Sequence, residues 1–380
     1  MSIKETRVQF ESLVGELKAN RRRSALIFSG SLYEKYKKYC NVIPFILEAL
    51  SIVPLATKLL NNDDGGFIFA GATMIIIGYC QTYVKIMYIL LNIDGIDEIF
   101  EWIQELHREH ENELISRIYA ERLRKFLKVV KFITSVWHLF FRIITISYGS
   151  GAVFGSIHLM TVQPYFKVPF VNKSYEFVHR LVGPFTLIYN AYNIYTADSI
   201  IIFIGIYFIA ALGILSDIIG LLNESSNTPS TGYFLPKIIS FHIEILKNFV
   251  DFCEMFKFLI FYQLINGTGF ILFNLYLIGE SENYFFFWVS FICVFAQFAL
   301  FCLFGQIIFN KSERIFTDLY QTKWYEMEVK DQKALLLMMK MSQNEFGLKA
   351  AGMYDINLIL FINVFKLCFS WYAVLYAALN

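Results

Sequence analysis

Seven long apolar stretches run through this 380-residue chain, and they limit its possible folds more than any other feature. A helix needs about 20 mostly apolar residues to cross the hydrocarbon core of a bilayer. The runs lack the alternation of apolar and polar residues that barrel strands show, so they predict membrane helices. The seven candidate spans are Val42–Leu60, Phe67–Leu91, Phe132–Met160, Val182–Leu222, Phe258–Ile278, Tyr284–Phe309 and Met353–Leu379.

The composition agrees with a chain whose solvent is mostly lipid. Hydrophobic residues make up 56% of the chain and charged residues 17%, whereas soluble proteins average roughly 45–50% and about 25%. This disfavours ordinary cytosolic enzymes, disordered chains and secreted disulfide scaffolds. The net charge of +1 gives no sign of a nucleic-acid partner. The expected fold class is an all-α membrane protein with seven transmembrane helices.

Lysine and arginine are distributed very unevenly between the segments that connect the spans. If the N-terminus is cytoplasmic, the inner segments contain 26 of them and the outer segments contain three. Cytoplasmic loops carry an excess of these residues in membrane proteins. We therefore expect a cytoplasmic N-terminus and an extracellular C-terminus, the reverse of a G-protein-coupled receptor. In this topology Asn172, in Asn172-Lys173-Ser174, is the one glycosylation sequon on the outer side.

The fourth stretch, Val182–Leu222, is too long for one crossing. Its first half carries Asn190, Asn193 and Asp198, so we expect that half to protrude or to line a cavity. The crossing itself is then predicted over Ser199–Leu222.

Two charged segments are predicted to form cytoplasmic helices. Residues 92–131 place apolar side chains on one stripe of an amphipathic helix. His107 and His110 follow that stripe, but no third ligand stands at a suitable spacing, so a metal site is not expected. Residues 311–345 mix acids and bases around an apolar patch, with Trp324 and Tyr325 nearby. The stripe consists of Ile96, Ile99, Ile103 and Leu106, and the patch of Leu335, Leu336, Leu337, Met338 and Met339.

Motifs of catalysis and cofactor binding are missing from the sequence. It contains no P-loop, no Gly-x-Ser-x-Gly, no His-Glu-x-x-His and no Cys-x-x-Cys. Inverted repeats typical of secondary transporters are not evident either. The chain is therefore not expected to be an enzyme or to carry a cofactor.

Seven spans with an inner N-terminus resemble the insect odorant receptors, and several local stretches strengthen the resemblance. The last part of the chain is the most specific, with Trp-Tyr, a small-residue break and an aromatic-Ser-aromatic stretch. The matching stretches are Gln163–Phe170, Asp198, Phe241–Leu246, Ser312, Trp324-Tyr325, Ala351-Gly352 and Phe369–Tyr372.

The resemblance implies a ligand-gated, non-selective cation channel in the plasma membrane of sensory neuron dendrites. In that family an odorant-specific subunit joins a shared co-receptor as a hetero-tetramer. The expected partners are the co-receptor, a small volatile odorant, membrane lipid and permeant cations. The expected regions are a cytoplasmic segment (1–41), spans one to six with an outer-half ligand pocket (42–309), a cytoplasmic anchor between subunits (310–352) and a pore-lining seventh span (353–380).

One stripe of the seventh span mixes polar and small residues. From the residues alone it is either a pore lining or a face for helix packing, and the resemblance favours the pore. Family co-receptors have a polar residue one turn from the C-terminus, where this chain has alanines, and four copies of a lysine would repel cations. We therefore expect the odorant-specific subunit. The candidate pore residues are Lys366, Ser370, Val374, Ala377 and Ala378.

A site for a volatile ligand should be an aromatic cavity with a few polar groups. Tyrosine hydroxyls or Asn274 can hydrogen-bond such a ligand. For each candidate, packing against lipid or in the core is the competing interpretation. The candidates are Met74, Ile75, Tyr79, Tyr148, Gly151, Tyr192, Tyr195, Phe270, Phe273, Asn274, Phe287 and Phe291.

Two alternative functions remain open at this point. A gustatory-receptor-like homomeric channel has the same topology. A G-protein-coupled receptor shares only the number of spans, and the charge bias is opposite to the one that it requires.

Overall fold

The computed structural model describes residues 3–24, 66–109, 112–153, 174–224, 231–280, 284–344 and 346–379. Val42–Leu60, Asn172 and Gln163–Phe170 lie outside the described residues. The helices are α1 (Ile3–Ser24), α2 (Gly66–Leu91), α3 (Ile93–Leu106), α4 (Glu113–Val153), α5 (Ser174–Glu224), α6 (Thr231–Glu280), α7 (Tyr284–Tyr320), α8 (Val329–Ser342) and α9 (Leu358–Leu379). A 3₁₀ turn covers Trp324–Glu326, and two short strands, β1 (Lys349–Ala350) and β2 (Tyr354–Asp355), precede α9.

The predicted membrane helices within the described ranges are present. Among the described residues, five helices are long and apolar enough to cross a membrane, namely α2, α5, α6, α7 and α9. The third predicted span lies on α4 as far as Val153. The all-α fold class is therefore confirmed, and the membrane orientation stays a prediction.

Helix α5 forms the centre of the bundle. In its most apolar stretch 94% of the residues are buried, against 12% in α9. Residues 200–222 are apolar on nearly every side, and a helix of that kind is stable only when other helices surround it. It packs against α1, α2, α4, α6 and α7. The polar residues Asn190, Asn193 and Asp198, which precede this stretch, are buried as well.

Residues 92–131 do not form the single helix that the sequence predicts. The helix ends at Leu106, and α4 begins at Glu113. The chain breaks at His107, whose buried ring stacks on Phe10 of α1 with 4.7 Å between centroids. Its nitrogens lie 3.4 Å from Thr6 Oγ1 and 3.3 Å from the Tyr207 hydroxyl. The predicted stripe of α3 is buried, as expected.

Burial lowers the pKa of His107 to about 4, and the positive charge of Arg7 adds to the shift. The imidazole is therefore neutral at pH 7. A neutral ring can stack on Phe10 and lie beside a tyrosine hydroxyl without the cost of a buried charge. This contact holds the N-terminal helix on the bundle.

The last helix begins later than predicted, at Leu358 rather than Met353. The residues between belong to an antiparallel pair in which Lys349 faces Asp355 and Ala350 faces Tyr354. Ala351 (φ 50°) and Gly352 (φ 74°) form the turn, where the left-handed backbone favours glycine. The small-residue break in the sequence therefore marks a hairpin turn.

The first part of α6 and the last part of α7 extend beyond the predicted spans and pack with α8. Leu335, Met338 and Met339 of α8 are buried, whereas Leu336 and Leu337 are exposed. The helices therefore continue past the predicted spans, and their extended ends pack together. The two exposed leucines leave an apolar surface on α8.

Candidate functional site

A cavity of about 120 Å³ lies between helices α2, α4, α5, α6 and α7. Its walls are mostly aromatic and aliphatic, with a few amide and hydroxyl groups. The lining residues are Met74, Ile75, Gly78, Tyr79, Gln81, Trp137, Phe140, Phe141, Thr145, Asn190, Ala191, Ile194, Phe270, Ser290, Cys293, Val294 and Gln297. This composition is typical of a site for a small, largely apolar ligand.

Helical spacing explains how α2 and α5 contribute to the walls. Met74 and Gly78 are four residues apart and therefore lie on one face of α2. Asn190 and Ile194 have the same spacing on α5. A Cβ atom on Gly78 would lie 3.2 Å from Cζ of Phe270 on α6. Glycine at this position therefore lets α2 approach the Phe270 ring that forms part of the wall.

A layer of buried polar side chains borders the cavity. Lys85 Nζ of α2 donates a hydrogen bond to Asp198 Oδ1 of α5 at 2.6 Å. Gln297 Nε2 of α7 donates to Asp198 Oδ2. Gln81 Nε2 donates to Gln263 Oε1 at 2.9 Å. Because Gln81 and Gln297 also line the cavity, this layer connects the cavity to the buried ion pair.

Burial of these charges requires their pairing. The Lys85 and Asp198 side chains are 1% and 0% exposed, and both lie inside predicted spans. An isolated charge at such a depth costs several kcal/mol. The ammonium and the carboxylate neutralise each other, and Gln297 supplies a further donor to the carboxylate.

The structure brings four of the predicted ligand residues to the cavity, namely Met74, Ile75, Tyr79 and Phe270. Phe273 and Phe287 lie beside it, in a smaller apolar cluster that also contains Met74 and Phe270. That cluster includes Tyr372 of α9, so it connects the cavity wall to the last helix.

Other predicted residues make different contacts. The Asn274 amide donates to the Phe270 carbonyl within α6 at 2.8 Å. Phe291 packs against Trp288 and Phe295 instead of lining the cavity. Tyr148 and Gly151 lie on α4 in a part whose side chains lie outside the described residues.

The two tyrosines predicted on α5 face α1, away from the cavity. The Tyr192 hydroxyl donates to Asn20 Oδ1 at 3.1 Å. Tyr195 lines a second cavity of about 550 Å³ between α1, α4 and α5. The charged groups Glu16 and Lys131 also line this second cavity, and such walls suit water better than an apolar volatile.

Sequence reasoning missed most of the α4 and α7 contribution, which includes Trp137, Phe141 and Gln297. For the polar residues among those that line the cavity, the sequence offered one signal, which is a polar residue inside an apolar run. Polar side chains are costly in membranes and usually face the bundle interior or a cavity. Gln81, Ser290 and Gln297 meet that description.

The candidate pore residues share one exposed face of α9. Lys366, Ser370, Val374, Ala377 and Ala378 are all exposed in the single chain. The opposite face is packed, with Val364 and Cys368 buried. The Cys368 thiol lies 3.7 Å from the Thr268 carbonyl oxygen of α6. One face of α9 thus attaches to the bundle, and the small-residue face remains open to lipid, a pore or another subunit.

Metal binding receives no support from the residues that the structure describes. No three His, Cys, Asp or Glu side chains are grouped as a metal site would require. His107 is held by Thr6 and Tyr207, and His110 lies outside the described residues.

Comparison with known proteins identifies relatives of the chain. The profile of the family described as "7tm Odorant receptor" matches residues 68–369. Odorant receptor 43b of Drosophila melanogaster is 23% identical over 295 residues, which cover 71% of this chain and 70% of that protein.

Two solved structures of the olfactory receptor OR5 from Machilis hrabei have the same fold, each with a TM-score of 0.83. The one in complex with eugenol is 12% identical and covers 98% of this chain and 99% of its own. The other is 11% identical and covers 97% and 98%. Since the family match spans most of the sequence, the chain belongs to the insect odorant receptor family, which is a family of receptors and not of enzymes.

Proposed function

We propose that this chain is the odorant-specific subunit of a ligand-gated, non-selective cation channel, formed as a hetero-tetramer with a co-receptor. The observation that carries the proposal is the cavity between α2, α4, α5, α6 and α7. An engineered apolar cavity of about 150 Å³ binds benzene. A volume of about 120 Å³ therefore suits a volatile with about one ring, or one that displaces a flexible wall residue. Eugenol, which is bound in the structure of the Machilis receptor, is likewise a volatile with one ring.

The pore is assigned to α9. Its exposed stripe combines Lys366 and Ser370 with small residues near the C-terminus. Four copies of the stripe would place four ammonium groups around one axis and two rings of alanine at the outer end. The ammonium groups would repel the permeant cations, and an apolar constriction resists wetting. A channel that conducts cations therefore needs a second kind of subunit.

The contact between subunits is assigned to the cytoplasmic anchor, residues 310–352. Trp324 and Tyr325 are 39% and 64% exposed, and Leu336 and Leu337 are also exposed. Clustered apolar side chains on a surface mark interaction sites. The exposure of Trp324 and Tyr325 supports an anchor between subunits over the alternative, aromatic anchoring at the membrane interface.

The remaining regional assignments follow from the same proposal. Residues 1–41 form the cytoplasmic N-terminal segment, residues 42–309 carry spans one to six with the ligand pocket, and residues 353–380 supply the pore helix. The assembly is placed in the plasma membrane of sensory dendrites, where permeant cations enter. Asn172 is the proposed site of glycosylation on the outer side.

Co-expression of the chain with a co-receptor tests this function. We expect volatile-evoked cation currents from the pair and no robust current from either subunit alone. A robust current from this chain alone would instead support a homomeric, gustatory-receptor-like channel. Epitope tags that are accessible at the C-terminus but not at the N-terminus of intact cells would exclude a G-protein-coupled receptor.

A further inference from the structure

The Gln297 amide has one permitted orientation. Its Nε2 donates to Asp198 Oδ2, and the other carboxylate oxygen accepts from Lys85 Nζ at 2.6 Å. A carboxylate paired with an ammonium group accepts hydrogen bonds and does not donate them. Exchange of the amide oxygen and nitrogen would place two acceptor oxygens against each other in a buried environment. The amide nitrogen is therefore committed to Asp198.

The carbonyl oxygen of the same amide remains available to accept a hydrogen bond from a ligand in the cavity. Gln297 lines the cavity, and the side chain is buried. Within the described part of the chain, its Oε1 has no hydrogen-bond partner. An amide oxygen that has no partner in the protein gains a bond when a ligand in the cavity donates to it. A ligand oxygen that can only accept hydrogen bonds forms no bond with Oε1, because the lone pairs of the two oxygens repel each other.

Three other polar groups in the walls discriminate less between ligands. Gln81 pairs with another amide, Gln263, so these two can exchange the roles of donor and acceptor. The hydroxyl of Thr145 can donate or accept. The Trp137 indole N–H, buried without a partner among the described residues, can donate to the oxygen of an alcohol and to that of a carbonyl compound alike. Among these four groups, Gln297 is the one that distinguishes a ligand that can donate from one that can only accept.

We infer that Gln297 makes the cavity selective for hydrogen-bond donors, meaning small alcohols and phenols in preference to aldehydes, ketones and ethers of similar shape. This inference rests on the proposed function, because it takes the cavity as the odorant site. Asp198 and Lys85 act as positioning residues, since they hold the Gln297 amide without touching the ligand.

Matched ligand pairs test the inference on the wild-type chain. Cells that co-express the chain and a co-receptor are exposed to benzyl alcohol and benzaldehyde, and to cyclohexanol and cyclohexanone. We expect EC50 values about tenfold lower for the alcohols, the effect of one net hydrogen bond. Equal or lower EC50 values for the carbonyl compounds would overturn the inference and leave the proposed function standing. No response to any volatile would overturn both.

Two variants assign the selectivity to Gln297. Gln297→Met removes the amide and keeps the Lys85–Asp198 pair, so the EC50 ratio should fall to about one. Gln321→Met, at the exposed residue that follows α7, is the matched control and should keep the wild-type ratio. If Gln297→Met reaches the cell surface and keeps the preference, the assignment to Gln297 is wrong.

The double variant Lys85→Met/Asp198→Asn is a second and independent test. An amide at position 198 can donate as well as accept, so the Gln297 amide becomes free to turn. The preference for alcohols should weaken although Gln297 is unchanged. An unaltered ratio in a surface-expressed double variant would show that Asp198 does not position Gln297.

Discussion

The Lys85 ammonium of α2 lies 2.6 Å from the Asp198 carboxylate of α5, and both side chains are almost completely buried. The second carboxylate oxygen is bonded by Gln297, so a third helix, α7, joins the same group. One cluster of hydrogen-bonded polar side chains therefore links three helices of the cavity wall. Its arrangement affects both the stability of the bundle and the shape of the ligand site.

Single substitutions in this pair should be more damaging than the double substitution. Asp198→Asn or Lys85→Met leaves an uncompensated buried charge, which costs about 3–5 kcal/mol, whereas Lys85→Met/Asp198→Asn leaves none. Thermal unfolding of the purified complex, followed by fluorescence-detected size exclusion, measures the difference. As a control, substitutions in the exposed Lys349–Asp355 pair should change stability by about 1 kcal/mol at most. Additive losses in the double variant would contradict this account.

Gly305→Ala should disrupt the start of α9. A Cβ atom at this position would lie 1.9 Å from the Ile356 carbonyl oxygen, and backbone atoms cannot move aside cheaply. We expect a lower melting temperature and reduced odorant-evoked current. Gly220→Ala on α5 is the control, since no atom lies within 4 Å of its added Cβ. That variant should be neutral or slightly stabilising because alanine favours helices. Equal behaviour of the two variants would argue against the close contact.

Gly78→Ala should narrow the ligand range. The added methyl group lies 3.2 Å from Phe270 at the cavity wall, so the ring has to shift or the cavity has to shrink. We expect the EC50 of a bulky volatile to rise about tenfold and that of the smallest agonist to change less, since the loss of a well-fitting contact costs roughly 1–3 kcal/mol. Gly205→Ala, whose Cβ would lie 4.0 Å from Phe304, is the control outside the cavity. A uniform change for all ligand sizes would contradict a steric effect in the cavity.

Acid should release the N-terminal helix α1. The pKa of His107 is about 4 in the folded state and about 6.5 in an unfolded chain. The unfolded state therefore binds a proton first as the pH falls, so the stabilisation is complete above pH 6.5 and is lost progressively toward pH 4. Amide protection factors of α1, which compare the measured exchange rate with the intrinsic rate at the same pH, should be lower at pH 5 than at pH 7.5. In His107→Gln this difference between the two pH values should largely disappear, and an unchanged difference would assign the effect to another group.

The sequence predicted the helices well because their length and apolar character are local properties. The stripe of α3 and the face of α2 with Met74, Ile75 and Tyr79 follow from helical periodicity alone. The rotation of α5 about its own axis does not, because it depends on which neighbours pack against it. Tyr192 and Tyr195 therefore face α1, whereas Asn190 lines the cavity.

The polar layer shows a second limit of sequence reasoning. Lys85 and Asp198 are 113 residues apart, and Gln297 follows 99 residues after Asp198. Each was visible as a polar residue in an apolar run. Their pairing is a property of helix packing, which a single sequence does not encode in any local pattern.

The most direct test of the central claim is a single current measurement on Ala191→Phe, expressed with a co-receptor. Ala191 lines the cavity, and a phenylalanine ring there would occupy much of its volume. Leu139→Phe, on the exposed side of α4, serves as the matched control. If the cavity is the odorant site, Ala191→Phe reaches the cell surface with its co-receptor but loses the odorant-evoked current, and Leu139→Phe keeps it. An Ala191→Phe channel that responds with wild-type EC50 values would show that odorants bind elsewhere.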